Sequence, residues 1–168
     1  MELLLGCGNS REKKIAPGGN HAWDQLVTLD LDPYAKPDVL WDMANIPLPF
    51  DDDTFDQIHA YDVLEHMGTQ GNWKFFFDQF ADFHRILKPN GLFCGKCPSW
   101  KSPWAWGDPG HTRVIGVEHL AFLSQRQYTE QVGRTAMTDY RHYYKADFEA
   151  GFLQEDENDT VFVLVAIK

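Results

Sequence analysis

Three cysteines, Cys7, Cys94 and Cys97, are all the thiols in a chain of 168 residues. A sparse and odd set excludes a secreted disulfide framework and predicts a reducing compartment, the cytoplasm. No apolar run approaches the ~20 residues of a membrane-crossing helix. Met1 to Cys7 has neither a basic leader nor an apolar stretch of signal-sequence length, so neither export nor a membrane partner is expected. Positive charge is also in short supply: 15 Lys plus Arg face 25 Asp plus Glu, for a formal net charge of -10. Such a surface repels phosphate backbones, which disfavours nucleic acid as a partner. Repeats and low-complexity linkers are missing too. What remains is ordinary for a folded domain, 43% hydrophobic and 24% charged. At this length residues 1–168 are expected to form a single domain.

Short apolar runs punctuated by turns set out the elements. Leu3-Leu-Leu5 breaks at Gly6-Cys-Gly8, and Leu26-Val-Thr-Leu29 ends at Asp30-Leu-Asp32-Pro33. Val39 to Trp41 and Phe55 to Ala60 read as further strands. The segment from Arg11 to Gln25 is polar and contains Pro17-Gly-Gly19, so a crossover helix there is short or irregular. Trp73, Phe76, Phe77, Phe80, Phe83, Ile86 and Leu87 recur at helical spacing, and Lys88-Pro-Asn-Gly91 stops the helix. Leu92 to Cys97 is a strand, and Val117 to Val132 a helix stopped by Gly133. Ala136 to Tyr144 and Thr160 to Ile167 read as two last strands around the acidic stretch Glu155 to Asp159. Strands alternating with helices predict one α/β sandwich.

Open α/β sheets bind ligands at the carboxyl ends of their strands, where this chain places glycines and carboxylates. Gly6 and Gly8 let a backbone pass close beneath a ligand. Asp30, ending the next strand, can accept both hydroxyls of a ribose. The pattern Gly6-x-Gly8-x-x-Arg11 lacks the third glycine of a dinucleotide fingerprint, which favours a nucleoside without a pyrophosphate.

Taken in order, Leu-Leu-Leu-Gly6-Cys-Gly8, Leu29-Asp-Leu-Asp32, Asp38-Val-Leu-Trp-Asp42, Ile46-Pro-Leu-Pro-Phe50, Phe55-Asp56, Val63-Leu-Glu-His66 and Arg85-Ile-Leu-Lys-Pro-Asn-Gly91 resemble the class I S-adenosylmethionine-dependent methyltransferases. The likeness spans roughly residues 3 to 98 and is greatest to the short branch whose chains begin at the first strand. It implies a Rossmann-like seven-stranded sheet, mostly parallel with an antiparallel last strand and helices on both faces. It implies S-adenosylmethionine as cofactor, with Gly6, Cys7 and Gly8 under the methionine part, Asp30 on the ribose and Leu31 against adenine. Asp42 would accept the adenine amino group beside the Met43 backbone, and Tyr61 would line the methionine end. Asp32 rivals Asp30 for the ribose. Arg11 would reach the methionine carboxylate or face solvent, the latter being favoured.

No catalytic residue transfers from the resemblance, because displacement at a sulfonium methyl needs alignment more than acid or base. His66 and His111 are the candidates for catalytic contact, with anchoring roles as their alternatives. Trp100, Trp104 and Arg113 are the candidates for binding an acceptor, and Trp106 belongs to the same cluster; these indoles would stack on a ring or sugar, or meet a second subunit of a homodimer. Cys94-Gly-Lys-Cys97 places its thiols on opposite faces of a strand, and Asp51-Asp-Asp53 lacks further ligands, so no metal site is expected. The expected function is methyl transfer to a small-molecule or glycan-type acceptor. Its alternatives are a non-catalytic S-adenosylmethionine-binding module or partner protein, and an aminopropyl transferase.

Overall fold

Seven strands pair into one sheet in the computed structural model, which describes residues 1–168. They are β1 (Glu2–Leu5), β2 (Leu26–Asp30), β3 (Val39–Leu40), β4 (Phe55–Tyr61), β5 (Leu87–Pro98), β6 (Phe148–Glu155) and β7 (Asp159–Ala166). Their order is β3-β2-β1-β4-β5-β7-β6. β1 to β5 pair in parallel, while β7 is antiparallel to both β5 and β6. This is the Rossmann-like arrangement with a reversed last strand that the sequence led us to expect.

The two-residue period of the strands divides the apolar side chains between the faces. Leu3, Leu5, Ile58, Ala60, Phe93, Phe162 and Leu164 join the main core on one face. Leu4, Cys7, Ala35 and Tyr61 form a smaller cluster on the other. Helix α1 (Trp73–Ile86) lays Phe77, Phe80, Phe83 and Ile86 onto the main core. The Asn72 side chain caps its start by accepting the Phe75 N–H at 3.3 Å. Leu87 leaves helical geometry at φ -74°, ψ 143° and starts β5 directly.

On one face α1 and α3 (Val117–Ala121) pack on the main core; on the other, the 3-10 helix at Pro33–Ala35 contributes Ala35 to the small cluster, and the crossover of residues 6–25 contains no helix. Several expectations are corrected. The single helix expected over 117–132 is two, α3 and α4 (Gln125–Gln131), because the Ser124 hydroxyl accepts the Gln127 N–H and begins a new helix. Residues 136–144 are not a strand. Tyr140 and Tyr144 instead pack their rings on Phe77 of α1, and β6 begins at Phe148. The acidic stretch after Glu155 is the turn of the β6–β7 hairpin. A further short helix, α2 (Pro103–Gly107), lies in the Trp-rich segment. No helix is long and apolar enough to cross a membrane.

Candidate functional site

The sheet order reverses direction between β1 and β4, which opens a crevice at the carboxyl ends of those two strands. The chain leaving β1 turns there through Gly6 at φ 57° and Gly8 at φ 47°. A Cβ on Gly6 would stand 2.3 Å from Cγ2 of Val63, just after β4, so the two lips of the crevice touch at this glycine. Gly8 has nothing within 4 Å of its Cβ position. Its N–H donates to Asp30 Oδ2 at 2.8 Å, and Asp30 Oδ1 accepts the Asp32 N–H at 2.9 Å. Asp30 thereby ties the β1 turn to the end of β2 and keeps further acceptor capacity on each oxygen. Asp32 is exposed, and its Oδ1 caps the short 3-10 turn at Pro33–Ala35.

Arg11 does not face solvent freely: its guanidinium donates to the Gly8 carbonyl at 2.7 Å and to the Ala35 carbonyl at 2.8 Å. It clamps the glycine turn to the segment after β2. Beyond that clamp, Leu31 is 64% exposed and lies near the exposed Leu40 and Tyr34 in sequence. The Asp42 carboxylate is exposed and accepts the Ala44 N–H, whereas the Met43 side chain is buried in the main core. Cys7 is buried in the smaller cluster, and its thiol is pushed up chiefly by burial. The Tyr61 hydroxyl is engaged within the chain. That oxygen accepts the Ile15 N–H at 3.1 Å and donates to His59 Nδ1 at 2.6 Å, pinning residues 6–25 to the sheet. Burial raises its phenol well above the ordinary value.

After β4 the chain makes a short 3-10 turn at Leu64–His66, and the segment around His111 returns beside it. The Thr112 N–H donates to the Glu65 carbonyl at 2.9 Å, and Arg113 Nε to the Leu64 carbonyl at 2.9 Å. The His66 and His111 rings meet edge to face with centroids 4.6 Å apart. Glu65 was visible in the sequence only as the middle of a motif. Its carboxyl is buried, which raises its pKa above the ordinary carboxylate value. Arg113, a candidate for binding an acceptor, is held within the chain. It is buried, also donates to Gln79 Oε1, and burial lowers its pKa to about 10.

Trp100, Trp104 and Trp106 are 51%, 71% and 67% exposed. Trp100 donates to Glu155 Oε1 at 2.8 Å, and Trp106 to the Trp100 carbonyl at 3.0 Å, so two indoles are fixed while Trp104 stands out. A cavity of about 200 Å³ lies at the start of α1, between Asn72, Trp73, Phe76, Val114 and Tyr140. It is lined apart from the Gly6–Gly8 turn. Cys94 and Cys97 are both buried and unbridged; burial pushes the Cys94 thiol up to about 12 and raises that of Cys97 well above its ordinary value.

The sequence profile of a family described as a methyltransferase domain matches residues 3–95. Among solved structures, a SAM-dependent methyltransferase from Aquifex aeolicus superposes with a TM-score of 0.58 at 12% identity, covering 99% of this chain and 81% of that one. Another from Archaeoglobus fulgidus gives 0.57 at 13% identity, with coverage of 99% and 85%. The trans-methyltransferase CalH, in complex with SAH, gives 0.57 at 13% identity, with coverage of 99% and 51%. At such identities these likenesses concern the fold. None of the curated proteins matches the sequence.

Proposed function

The chain belongs to the methyltransferase-domain family, and from that premise we propose that it binds S-adenosylmethionine across the ends of β1 and β2 and methylates a small-molecule or glycan-type acceptor. The observation that carries the reading is the hydrogen bond from Gly8 to Asp30, which joins a ligand-permissive glycine turn to a ribose-type carboxylate at the switch point of the sheet. The residues fit the cofactor's chemistry. The open space over Gly8 admits the methionine part, Asp30 accepts the ribose hydroxyls, and exposed Leu31 offers adenine an apolar bed, with Asp42 in reach of its amino group by the family pattern. A structural neighbour that binds SAH supports the same assignment.

When bound, S-adenosylmethionine supplies a methyl group on a positively charged sulfur, already activated for displacement. The chain's own work is then to align the acceptor and keep water out. Exposed Trp100, Trp104 and Trp106 support an acceptor that presents a ring or a sugar face. The net charge of -10 argues against a nucleic-acid acceptor.

Calorimetric titration with S-adenosylhomocysteine tests the reading: saturable binding at one site per chain is expected, and its absence would refute the cofactor assignment. Asp30→Ala should weaken that binding by ~2 to 4 kcal/mol, about 30-fold to 1000-fold, through lost charge-assisted hydrogen bonds. An unchanged affinity with a comparable loss in Asp32→Ala would move the ribose to Asp32.

A further inference from the structure

Three ligand-type side chains meet beside the switch-point crevice. One ligand atom each of Glu65, His66 and His111 lies within 4.8 Å of the others. The carboxylate is the unusual member. Glu65 has a side chain 3% exposed, and neither of its oxygens receives a hydrogen bond. A carboxylate removed from water without donors is strongly unfavourable. The nearby buried cation, Arg113, does not relieve it, since its donors go to the Leu64 carbonyl and to Gln79.

Each histidine contributes one ring nitrogen to the same cluster. The His111 side chain is 8% exposed, its Nδ1 has no partner, and its Nε2 stands 3.9 Å from both Glu65 Oε1 and Asp108 Oδ2. His66 Nδ1 lies 3.1 Å from the Gly110 carbonyl, which can only accept. That nitrogen therefore carries the proton, and Nε2 keeps its lone pair. A ring held through one N–H by a backbone carbonyl is how metal-binding histidines are oriented. Gly110 makes the approach feasible, because a Cβ there would stand 3.3 Å from His66 Nδ1 and 3.2 Å from Asp108 Oδ1.

We propose that Glu65, His66 and His111 bind one divalent first-row transition ion, with Asp108 at the solvent-facing side. Two imidazoles and one carboxylate are a donor set that zinc accepts while keeping a position open, and imidazole favours transition ions over magnesium or calcium. Ligand atoms about 2.1 Å from an ion lie about 3.4 Å apart in a tetrahedron, so side-chain movements of about 1 Å would close the cluster. This departs from the sequence-based expectation of no metal, which had no means of seeing Glu65 stripped of donors or the 108–111 turn folded back onto it.

The position left open would take a hydroxyl oxygen of the acceptor. A bound ion would supply Lewis acidity that lowers the pKa of that hydroxyl, so that its proton could pass to water and its oxygen take the methyl group as the S–CH3 bond of the sulfonium broke. This consequence rests on the methyltransferase reading; ion binding does not.

The test is calorimetry on chelator-treated, tag-free protein titrated separately with zinc, manganese and magnesium, with S-adenosylhomocysteine titrated in parallel. One zinc or manganese ion per chain is expected, with magnesium much weaker. Glu65→Gln and His66→Ala should each weaken binding by at least about 100-fold, while Asp139→Ala, in an exposed ion pair elsewhere, should bind as wild type. His66 is exposed, so its variant stays informative even where replacing buried Glu65 disturbs folding. No stoichiometric ion, or binding unchanged in His66→Ala, would overturn the proposal. Cofactor binding without ion binding would sink the metal site alone, and ion binding without cofactor binding would sink the methyltransferase reading alone.

Discussion

At Gly6 a single added carbon has no room. Its Cβ would lie 2.3 Å from Val63 Cγ2 and 2.8 Å from Val63 Cβ, and its φ of 57° is one that side chains disfavour. Gly8 shares the disfavoured φ but faces open space. Gly6→Ala therefore combines strain with overlap and should destabilise the protein by ~2 to 4 kcal/mol, against ~1 kcal/mol for Gly8→Ala. Urea unfolding of the two variants measures the difference, and equal losses would mean that Val63 yields freely. Gly8→Ala should still impair S-adenosylhomocysteine binding, because it fills space that the proposed ligand uses. These two glycines and Asp30 were legible in the sequence because each marks the end of an apolar run, where the chemistry of an α/β sheet collects. Glu65 was not legible in the same way. Its isolation depends on Thr112 and Arg113 pairing with the Glu65 and Leu64 backbone from more than forty residues away.

Among the elements, the irregular crossover of residues 6–25 holds its place by side-chain bonds where a helix would have used its own backbone. Lys13 reaches under the sheet to Glu2 of β1, with Nζ 2.9 and 3.0 Å from the two carboxylate oxygens, and both side chains are about nineteen-twentieths buried. Trp23 adds a hydrogen bond to the Arg11 carbonyl at 2.5 Å, and its ring meets His59 edge to face. Lys13→Ala would leave the Glu2 carboxylate buried and unpaired, a loss expected to cost ~3 to 5 kcal/mol. Replacing both residues, as in Glu2→Leu with Lys13→Leu, should recover most of that loss. A double-mutant cycle from chemical denaturation reads this directly; a single variant as stable as wild type would mean that water reaches the carboxylate. The short, polar character of this crossover was visible in Pro17-Gly-Gly19, whereas its anchoring was not, since it uses residues that are distant in sequence. Helix α1 was legible almost to the residue, because its apolar spacing is both periodic and capped. Residues 136–144 misled for a physical reason: their tyrosines serve as lids on α1, and aromatic content alone does not distinguish a lid from a strand.

For the whole molecule, two arguments about acid point in opposite directions, and His59 decides between them. With a formal charge of -10 at pH 7, mild acidification should relieve self-repulsion and stabilise the fold. His59, however, is fully buried in β4 as a satisfied neutral ring: Tyr61 donates to its Nδ1 at 2.6 Å, and its Nε2 donates to Gln57 Oε1 at 3.0 Å. Burial first, and the Lys13 ammonium second, lower its pKa from 6.5 to about 3. In the unfolded chain the ring takes up a proton below about pH 6.5; in the folded chain it does so only near 3. Unfolding therefore binds a proton throughout that window, and stability falls with pH by about 1 kcal/mol per unit from this group. His84 and His119 are lowered by burial as well and act in the same direction. Glu65 opposes them, since its raised pKa lets the folded chain bind a proton before the unfolded one does. Diffuse surface repulsion is screened by salt, whereas a buried imidazole is not, so stability in 0.15 M salt should decline between pH 6.5 and 5. His59→Asn keeps a polar group facing Tyr61 without the titration, and its urea midpoint should depend less steeply on pH than that of the wild type over this range. Parallel profiles for the two proteins would show that the folded state accommodates the protonated ring, and would return control of the acid response to surface charge.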